Sequence, residues 1–178
     1  MENILTVNGI EYTLISLLGK GKGGYSYLAE KDGKQYVLKQ IHHEPCEYYT
    51  FGNKIEAEKN DYERLLNAGI RIPQMLDIDI AEERILKEYI DGPTIFDLVK
   101  EDAMNNTYLN QMREMAAKAY ENGLNIDYFP TNFVVQKDVI FYIDYECNNY
   151  MDEWNFKNWG IKYWSKTKEF MDYLNIHK

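Results

Sequence analysis

Two dipeptides constrain the first part of this chain more than any other feature. Asn8–Gly9 and Asp32–Gly33 are pairs that suit type I′ hairpin turns, where both central residues need positive φ. The stretches around them, 2–7, 11–18, 25–30 and 35–41, are rich in Val, Ile, Leu, Tyr and Thr and read as strands. Residues 54–67 read as a helix ended by Gly69. Two more strands are expected near 75–80 and 84–90. After "DGPT" at 91–94 come a short helix at 95–100 and a longer one at 107–121, capped by Asn122–Gly123. A strand pair is expected at 133–135 and 139–143. The stretch 157–175 reads as aromatic and mostly helical. The expectation is an α+β fold in two lobes: 1–90, mainly antiparallel sheet plus one helix, and 91–178, mainly helical with a small hairpin.

The length of 178 residues suits one domain or two small lobes sharing a core. Hydrophobic residues make up 45% and charged ones 28%, ordinary globular usage that argues against disorder. The net charge is -9 and no basic stripe is visible, so no nucleic-acid partner is expected. An acidic surface still permits ATP, because a local cationic pocket overrides the global sign. Cys46 and Cys147 lack metal-ligand spacing, and neither a zinc site nor a disulfide framework is indicated. The start, "MENILTVNGI", has neither the basic residues nor the apolar core of a signal peptide. Apolar runs such as "VIFYI" are too short to span a bilayer. A cytoplasmic location, away from membranes, is expected.

Gly19, Gly21 and Gly24 form a G-x-G-x-x-G. A dinucleotide fold needs this motif to open a helix, but Tyr25–Glu30 reads as a strand. A Walker loop needs a closing Gly-Lys-Ser/Thr, which is missing. Two readings remain: a flap whose bare backbone closes over phosphates, or a flexible turn.

In "QYVLKQI", alternation puts Val37, Lys39 and Ile41 on one strand face. Lys39 either faces solvent on an edge or has a partner. Glu58 shares a helical stripe with Tyr62 and Leu65, whereas Glu56 and Glu63 point elsewhere. Inward charges are costly unless they meet, so Lys39 and Glu58 are expected to pair, leaving the lysine to hold phosphates.

"NIDYFPTNFVV" carries Asp127 and Asn132 with Pro130 between them. If 136–138 is a three-residue hairpin, Val135 faces Val139 and Asn132 lies opposite Tyr142. Asp144 then returns beside Asp127. Such an oxygen-rich pocket suits Mg²⁺, and Asp127 is placed to accept a proton from a hydroxyl. The plain alternative is that each of these residues caps a turn.

Taken in order, these motifs resemble the protein-kinase-like superfamily. "GKGKGGYSYLAE" resembles its glycine-rich loop, "YVLK" its third-strand lysine and Glu58 its helix glutamate. "LKEYIDGPT" resembles the hinge that holds adenine, "IDYFPTN" the catalytic loop, and "IDYE" at 143–146 the magnesium aspartate. The details are most similar to small atypical members, the RIO kinases and the compact kinase of the KEOPS complex. "IDYE" also resembles aminoglycoside and choline kinases. The resemblance implies a minimal two-lobed fold using ATP and Mg²⁺. It implies that Gly19, Gly21 and Gly24 cover the phosphates and that Lys39, aligned by Glu58, neutralises them. The backbone from Glu88 through Tyr89 to Ile90 binds adenine, Asn132 and Asp144 hold the metal, and Asp127 is the base. These groups are expected to meet in one cleft.

The implied acceptor is a Ser/Thr hydroxyl of a protein. The alternatives are a small-molecule alcohol or sugar, or a nucleotide-binding pseudokinase serving as a partner module. The chain departs from the family pattern at several positions. Asn125 and Ile126 replace His and Arg, Phe129 stands where a Lys is common, and Ser26 replaces a valine. Lys87 falls near the position that guards the back of the pocket, an odd place for a charge unless it snorkels outward, and Glu146 replaces a Gly. The segment after Asp144 reads as a truncated second lobe. Its Trp154, Trp159 and Trp164 read as core packing, with Ile161, Trp164, Met171 and Leu174 on one helical face. The other reading of these aromatics is an exposed patch for a protein partner that completes the lobe.

Overall fold

A computed structural model describes residues 3–21, 23–43 and 53–177. It is α+β. The strands are β1 (Ile4–Val7), β2 (Ile10–Lys20), β3 (Gly24–Lys31), β4 (Lys34–Ile41), β5 (Met75–Asp79) and β6 (Arg84–Glu88). The helix α1 (Lys54–Asn67) lies between β4 and β5 in sequence. After β6 come α2 (Ile95–Lys100), α3 (Asn106–Glu121), β7 (Leu124–Ile126), β8 (Phe133–Gln136), β9 (Val139–Tyr142), β10 (Cys147–Asn149) and α4 (Lys168–Ile176). Chain contacts separate two compact units, 1–60 with 73–89, and 61–72 with 90–178.

The first unit is a six-stranded antiparallel sheet in the order β1-β2-β3-β4-β6-β5. Its two tight turns have the dihedral signs that the sequence demands: φ is 50° and 82° at Asn8 and Gly9, and 51° and 76° at Asp32 and Gly33. Both faces of the sheet are apolar. Leu38 packs with Val7, Tyr12, Ala29 and Leu86 on one side. On the other side Ile41 packs with Ile85 and with Ile55 from α1. Lys39 shares the second face by alternation.

The sheet curls until its edge strands meet. The Asn8 amide donates to Asp79 Oδ2 at 2.7 Å, and the Asn8 side chain donates to Asp77 Oδ1 and to the Ile78 carbonyl. Arg84 Nη1 reaches the Thr6 carbonyl at 2.9 Å. The side chains thus occupy backbone edges that would otherwise be open to a foreign strand.

In the second unit, β7 pairs with β10 and β8 with β9. The pair β7–β10 has only three residues per strand, too short to leave a periodic trace in the sequence. The β8–β9 register differs from the expected one. Gln136 lies opposite Val139, and Phe133, not Asn132, lies opposite Tyr142. The turn is the two residues Lys137 and Asp138, with φ of 50° and 63°. A two-residue turn of this hand matches the strand twist, and Asp tolerates the left-handed region. Residues 61–72 join this unit through Tyr142, whose amide donates to the Arg71 carbonyl at 2.9 Å.

The C-terminal stretch is less helical than its periodicity suggests. Among the described residues its one α-helix is α4, preceded by 3-10 turns at Asp152–Trp154 and Gly160–Tyr163. Thr167 caps α4, accepting the Phe170 amide at 3.1 Å, so Ile161 and Trp164 are not on a helical face with Met171 and Leu174. Gly160 abuts the Tyr128 side chain so closely that a methyl there would lie 2.5 Å from Tyr128 Cβ. Cys147 is a buried thiol that desolvation pushes up to about 12; Cys46 lies outside the described residues. Among those described, no helix is long and apolar enough to cross a membrane.

The amides of Asn8 and Glu82 hold the Asp79 carboxyl below the usual carboxylate value. A lowered folded-state pKa contributes stability above the unfolded value, and that stability is lost as the pH falls through the folded one. The melting temperature of wild type should therefore exceed that of Asp79→Asn at neutral pH. The gap should shrink as the pH falls below the ordinary carboxylate range and through the lowered folded-state value, as a pH series of thermal melts would record.

Candidate functional site

Lys39 sits on β4 with Ser26 opposite on β3 and Ile85 opposite on β6. Strands lie on both sides of it, and α1 packs on the same face through Ile55. Its Nζ donates to Glu58 Oε1 at 2.7 Å, the pairing that strand and helix periodicity predict. The two side chains are 17% and 8% exposed, so this is a largely desolvated pair. Glu56 and Glu63 point into solvent.

The glycine turn lies over the same ammonium. A methyl on Gly23 would be 4.0 Å from Lys39 Nζ. The turn closes with the Gly21 amide donating to the Gly24 carbonyl at 2.9 Å. His42, just past β4, staples it: the His42 amide donates to the Gly23 carbonyl at 3.1 Å, and its ring Nε2 meets the Gly21 carbonyl at 2.9 Å. No sequence motif marks His42, because a histidine after a strand has no signature of its own.

The three motif glycines have different reasons to be glycine. A methyl on Gly24 would lie 2.5 Å from the Gln40 carbonyl oxygen, so the β3–β4 approach alone demands glycine there. At Gly19 a methyl meets nothing within 4 Å, and at Gly21 only the Gly24 carbonyl at 4.0 Å. Nothing within the described chain requires glycine at these two positions on steric grounds.

At the end of β6, the Glu88 amide donates to the Gln74 carbonyl at 2.9 Å, and its carboxylate accepts the Gln74 amide at 3.1 Å. The Glu88 amide is therefore spent, and a base docking at this segment has to use other main-chain groups. Glu88 and Tyr89 close the first unit, and Ile90, which is buried, opens the second. Lys87 does not snorkel. It is 5% exposed, in register with Val37 on β4 and Met75 on β5. Strands on both sides close its lateral route to water.

The second unit gathers Asp127, Asn132 and Asp144 at one end of the β8–β9 hairpin. Asp127 follows β7 and is exposed. Its Oδ1 accepts the Phe129 amide at 3.1 Å, and its carbonyl accepts a long bond from Asn132 Nδ2 at 3.4 Å. The Ile143 amide donates to the Asn132 carbonyl at 3.0 Å, bringing the half-buried Asp144 into the same cluster. Beneath it the Tyr142 hydroxyl accepts the Asp127 amide at 3.2 Å and donates to the Glu146 carbonyl at 2.8 Å. Burial first, and then the Asp144 carboxylate, push that hydroxyl well above its ordinary value, so it remains a proton donor. With the Asn132 amide nitrogen turned to the Asp127 carbonyl, its Oδ1 is the atom of that side chain left to meet a cation. Among the described residues no three His, Cys, Asp or Glu side chains surround a common point. A cation here has two protein oxygen donors at hand, Asn132 Oδ1 and the Asp144 carboxylate. That suits Mg²⁺, which keeps waters and phosphate oxygens for the rest of its shell.

The aromatic C-terminal segment holds this loop in place. Trp164 Nε1 donates to the Tyr128 carbonyl at 2.8 Å, and its ring stands edge-on to Phe133 and Phe156 at 5.2 and 5.3 Å. Phe129 packs on Tyr173 at 4.7 Å and on Tyr163 at 5.2 Å. Trp164 is core, as expected. Trp154 is not: it is 49% exposed and packs edge-on to Trp159. Asn125, where the resemblance has His, is buried and donates to the Trp154 carbonyl at 2.8 Å. Gly92 in "DGPT" is forced, because a methyl there would lie 1.9 Å from the Val135 carbonyl.

No protein-family model matches the chain. It is 31% identical over 85 residues to a probable bifunctional tRNA threonylcarbamoyladenosine biosynthesis protein of Methanococcus vannielii. The match covers 47% of this chain and only 15% of that protein.

Two mutational outcomes follow from this geometry. Gly24→Ala should lower unfolding stability by about 1–3 kcal/mol, whereas Gly19→Ala and Gly21→Ala should change it by less than about 0.5 kcal/mol in urea titrations. Trp164→Ala should cost about 3–5 kcal/mol, and Trp164→Phe a smaller amount dominated by the lost bond to Tyr128.

Proposed function

We propose that this chain is an ATP- and Mg²⁺-dependent phosphotransferase that moves the γ-phosphoryl group to a hydroxyl, with a protein Ser or Thr as the favoured acceptor. The observation that carries this reading is the Lys39–Glu58 pair at 2.7 Å beneath the glycine turn. A desolvated ion pair is a poor way to gain stability. A fixed ammonium under a loop of bare backbone is a good way to hold phosphate. The partial likeness to a tRNA threonylcarbamoyladenosine biosynthesis protein supports the kinase-like reading through the resemblance to the compact KEOPS kinase.

In this reading Gly19 and Gly21 let the backbone approach the phosphates, while Gly24 keeps the turn seated on β4. Lys39 neutralises phosphate charge, and Glu58 holds the ammonium in position. Bound Mg²⁺ supplies charge neutralisation at the phosphate oxygens, and Asn132 and Asp144 are the residues that hold it. Asp127 orients the acceptor hydroxyl and takes its proton. The Asx turn to the Phe129 amide and the Tyr142 bond to its own amide limit the rotation of Asp127. Positioning and charge stabilisation supply most of the rate. Main-chain groups from Glu88 to Ile90 bind adenine, the Glu88 amide excepted.

The test is transfer from γ-labelled ATP to a panel of protein, alcohol and sugar acceptors with Mg²⁺ present. Transfer to small alcohols alone would replace the protein acceptor, and nucleotide binding without transfer would leave a partner module. Asp127→Ala should lower turnover by roughly 10²–10⁴-fold with little change in ATP affinity; undiminished turnover would remove Asp127 as the base. A double-mutant cycle on Lys39 and Glu58 should show coupling in ATP affinity or turnover. Additive losses would break the proposed link.

A further inference from the structure

The second unit contains a cavity that the proposed phosphotransfer does not use. It has a volume of about 510 Å³ and lies between α3 and the segment 150–161. That volume is in the range of small-molecule sites. Its apolar walls are Ala116, Ala117, Phe156, Ile161 and the ring of Tyr120. Tyr120 stands edge-on to Tyr150 at 4.9 Å, and Phe156 edge-on to Tyr128 at 5.6 Å.

Three polar groups at this cavity lack a partner among the described residues. Arg113 and Lys157 line it and make no hydrogen bond or ion pair with any described side chain or carbonyl. Both side chains are exposed, so their charges stand at the mouth of the cavity. The third is the hydroxyl of Tyr128. Its side chain is only 2% exposed and lines the cavity, yet the hydroxyl has no hydrogen-bond partner among the described residues. The hydroxyl is not among the fully buried unpaired atoms, so its open valence faces the cavity. The neighbouring Tyr150 hydroxyl is already engaged, donating to Asp152 Oδ1 at 2.8 Å and accepting from Asn155 Nδ2 at 2.9 Å. Burial keeps the Tyr128 hydroxyl protonated well past its ordinary range, so it is available as a donor at any working pH.

We propose that this cavity is a second ligand site, for a small anion that carries an aromatic ring. The ring is taken by the tyrosine and phenylalanine walls, and the anionic group is met by Arg113, Lys157 and the Tyr128 hydroxyl. The site is independent of the phosphotransfer reading, because no group assigned to phosphotransfer lines it. Tyr128 follows Asp127 directly, so a ligand here touches the segment that carries the proposed base.

The probe is phenyl phosphate, titrated calorimetrically into the full chain. Inorganic phosphate and benzyl alcohol serve as half-ligand controls, and a nonhydrolysable ATP analogue with Mg²⁺ is present throughout to occupy any nucleotide site. One phenyl phosphate should bind per chain, and each control at least about tenfold more weakly. The double substitution Arg113→Gln with Lys157→Gln should weaken phenyl phosphate by about tenfold or more. Tyr128→Phe should weaken it by about two- to tenfold while leaving the melting temperature unchanged, since the hydroxyl it removes bonds to nothing in the ligand-free fold. Phenyl phosphate that binds no better than inorganic phosphate would overturn the site. So would unaltered affinity in the double variant, or the absence of saturable binding up to about 10 mM. Failure of the ATP analogue to bind would count against the phosphotransfer reading alone.

Discussion

A lysine placed on a strand face that packs against a helix has to be neutralised from that helix, or the face cannot close. Lys39 is flanked by β3 and β6, and Ile41 two residues on is in the core beneath α1. Glu58 meets that need at 2.7 Å, and in doing so it sets the rotational phase of α1 over the sheet. Ile55, three residues earlier on the helix, then falls onto Ile41 and Ile85. One ion pair therefore fixes the helix, the second apolar face and the place of the ammonium under the glycine turn. A buried pair is a weak source of net stability, and removing one partner is far more costly than never having had the pair. Such a pair contributes position rather than strength.

The second unit solves a related problem with aromatic side chains. The segment from Asp127 to Asn132 is a loop whose backbone groups have few regular partners. It is tied from two sides. The buried Tyr142 hydroxyl bridges Asp127 and Glu146, and the Trp164 indole takes the Tyr128 carbonyl. Rings at Phe129, Tyr163 and Tyr173 fill the space around it. A loop held by buried hydrogen bonds and rigid rings has few alternative conformations, which is what the positioning of an exposed Asp127 requires. Gly160 approaches Tyr128 more closely than any side chain would allow, which seats the C-terminal segment against this loop.

The glycines illustrate how one motif can combine unlike causes. Gly24 and Gly92 are imposed by carbonyl oxygens that leave no room for a methyl. Gly19 and Gly21 face open space. Structural necessity explains the first two; the freedom at the other two is what a loop that admits a ligand would need.

Much of this arrangement could be read from local chemistry. Turn pairs such as Asn8–Gly9 and Asp32–Gly33, the limits of α1, and the facing of Lys39 and Glu58 depend on dihedral preferences and on periods of two and 3.6 residues. Those properties belong to short windows of sequence. What needed the folded chain depends on distant partners. The curl of the sheet rests on Asn8 reaching Asp77 and Asp79. The short pair β7–β10, the support of Tyr128 by Trp164, the burial of Lys87 and the register of β8–β9 are decided by which surfaces meet. The 136–138 turn could have closed with two residues or three, and only packing against the rest of the unit selected two. Sequence by itself determined the strands and helices of the first 121 residues and the facing of Lys39 and Glu58, because those follow from steric rules acting over a few residues. Tertiary structure alone decided which carbonyl, ring or ammonium each inward group would find, because that choice rests on burial and distance between residues far apart along the chain.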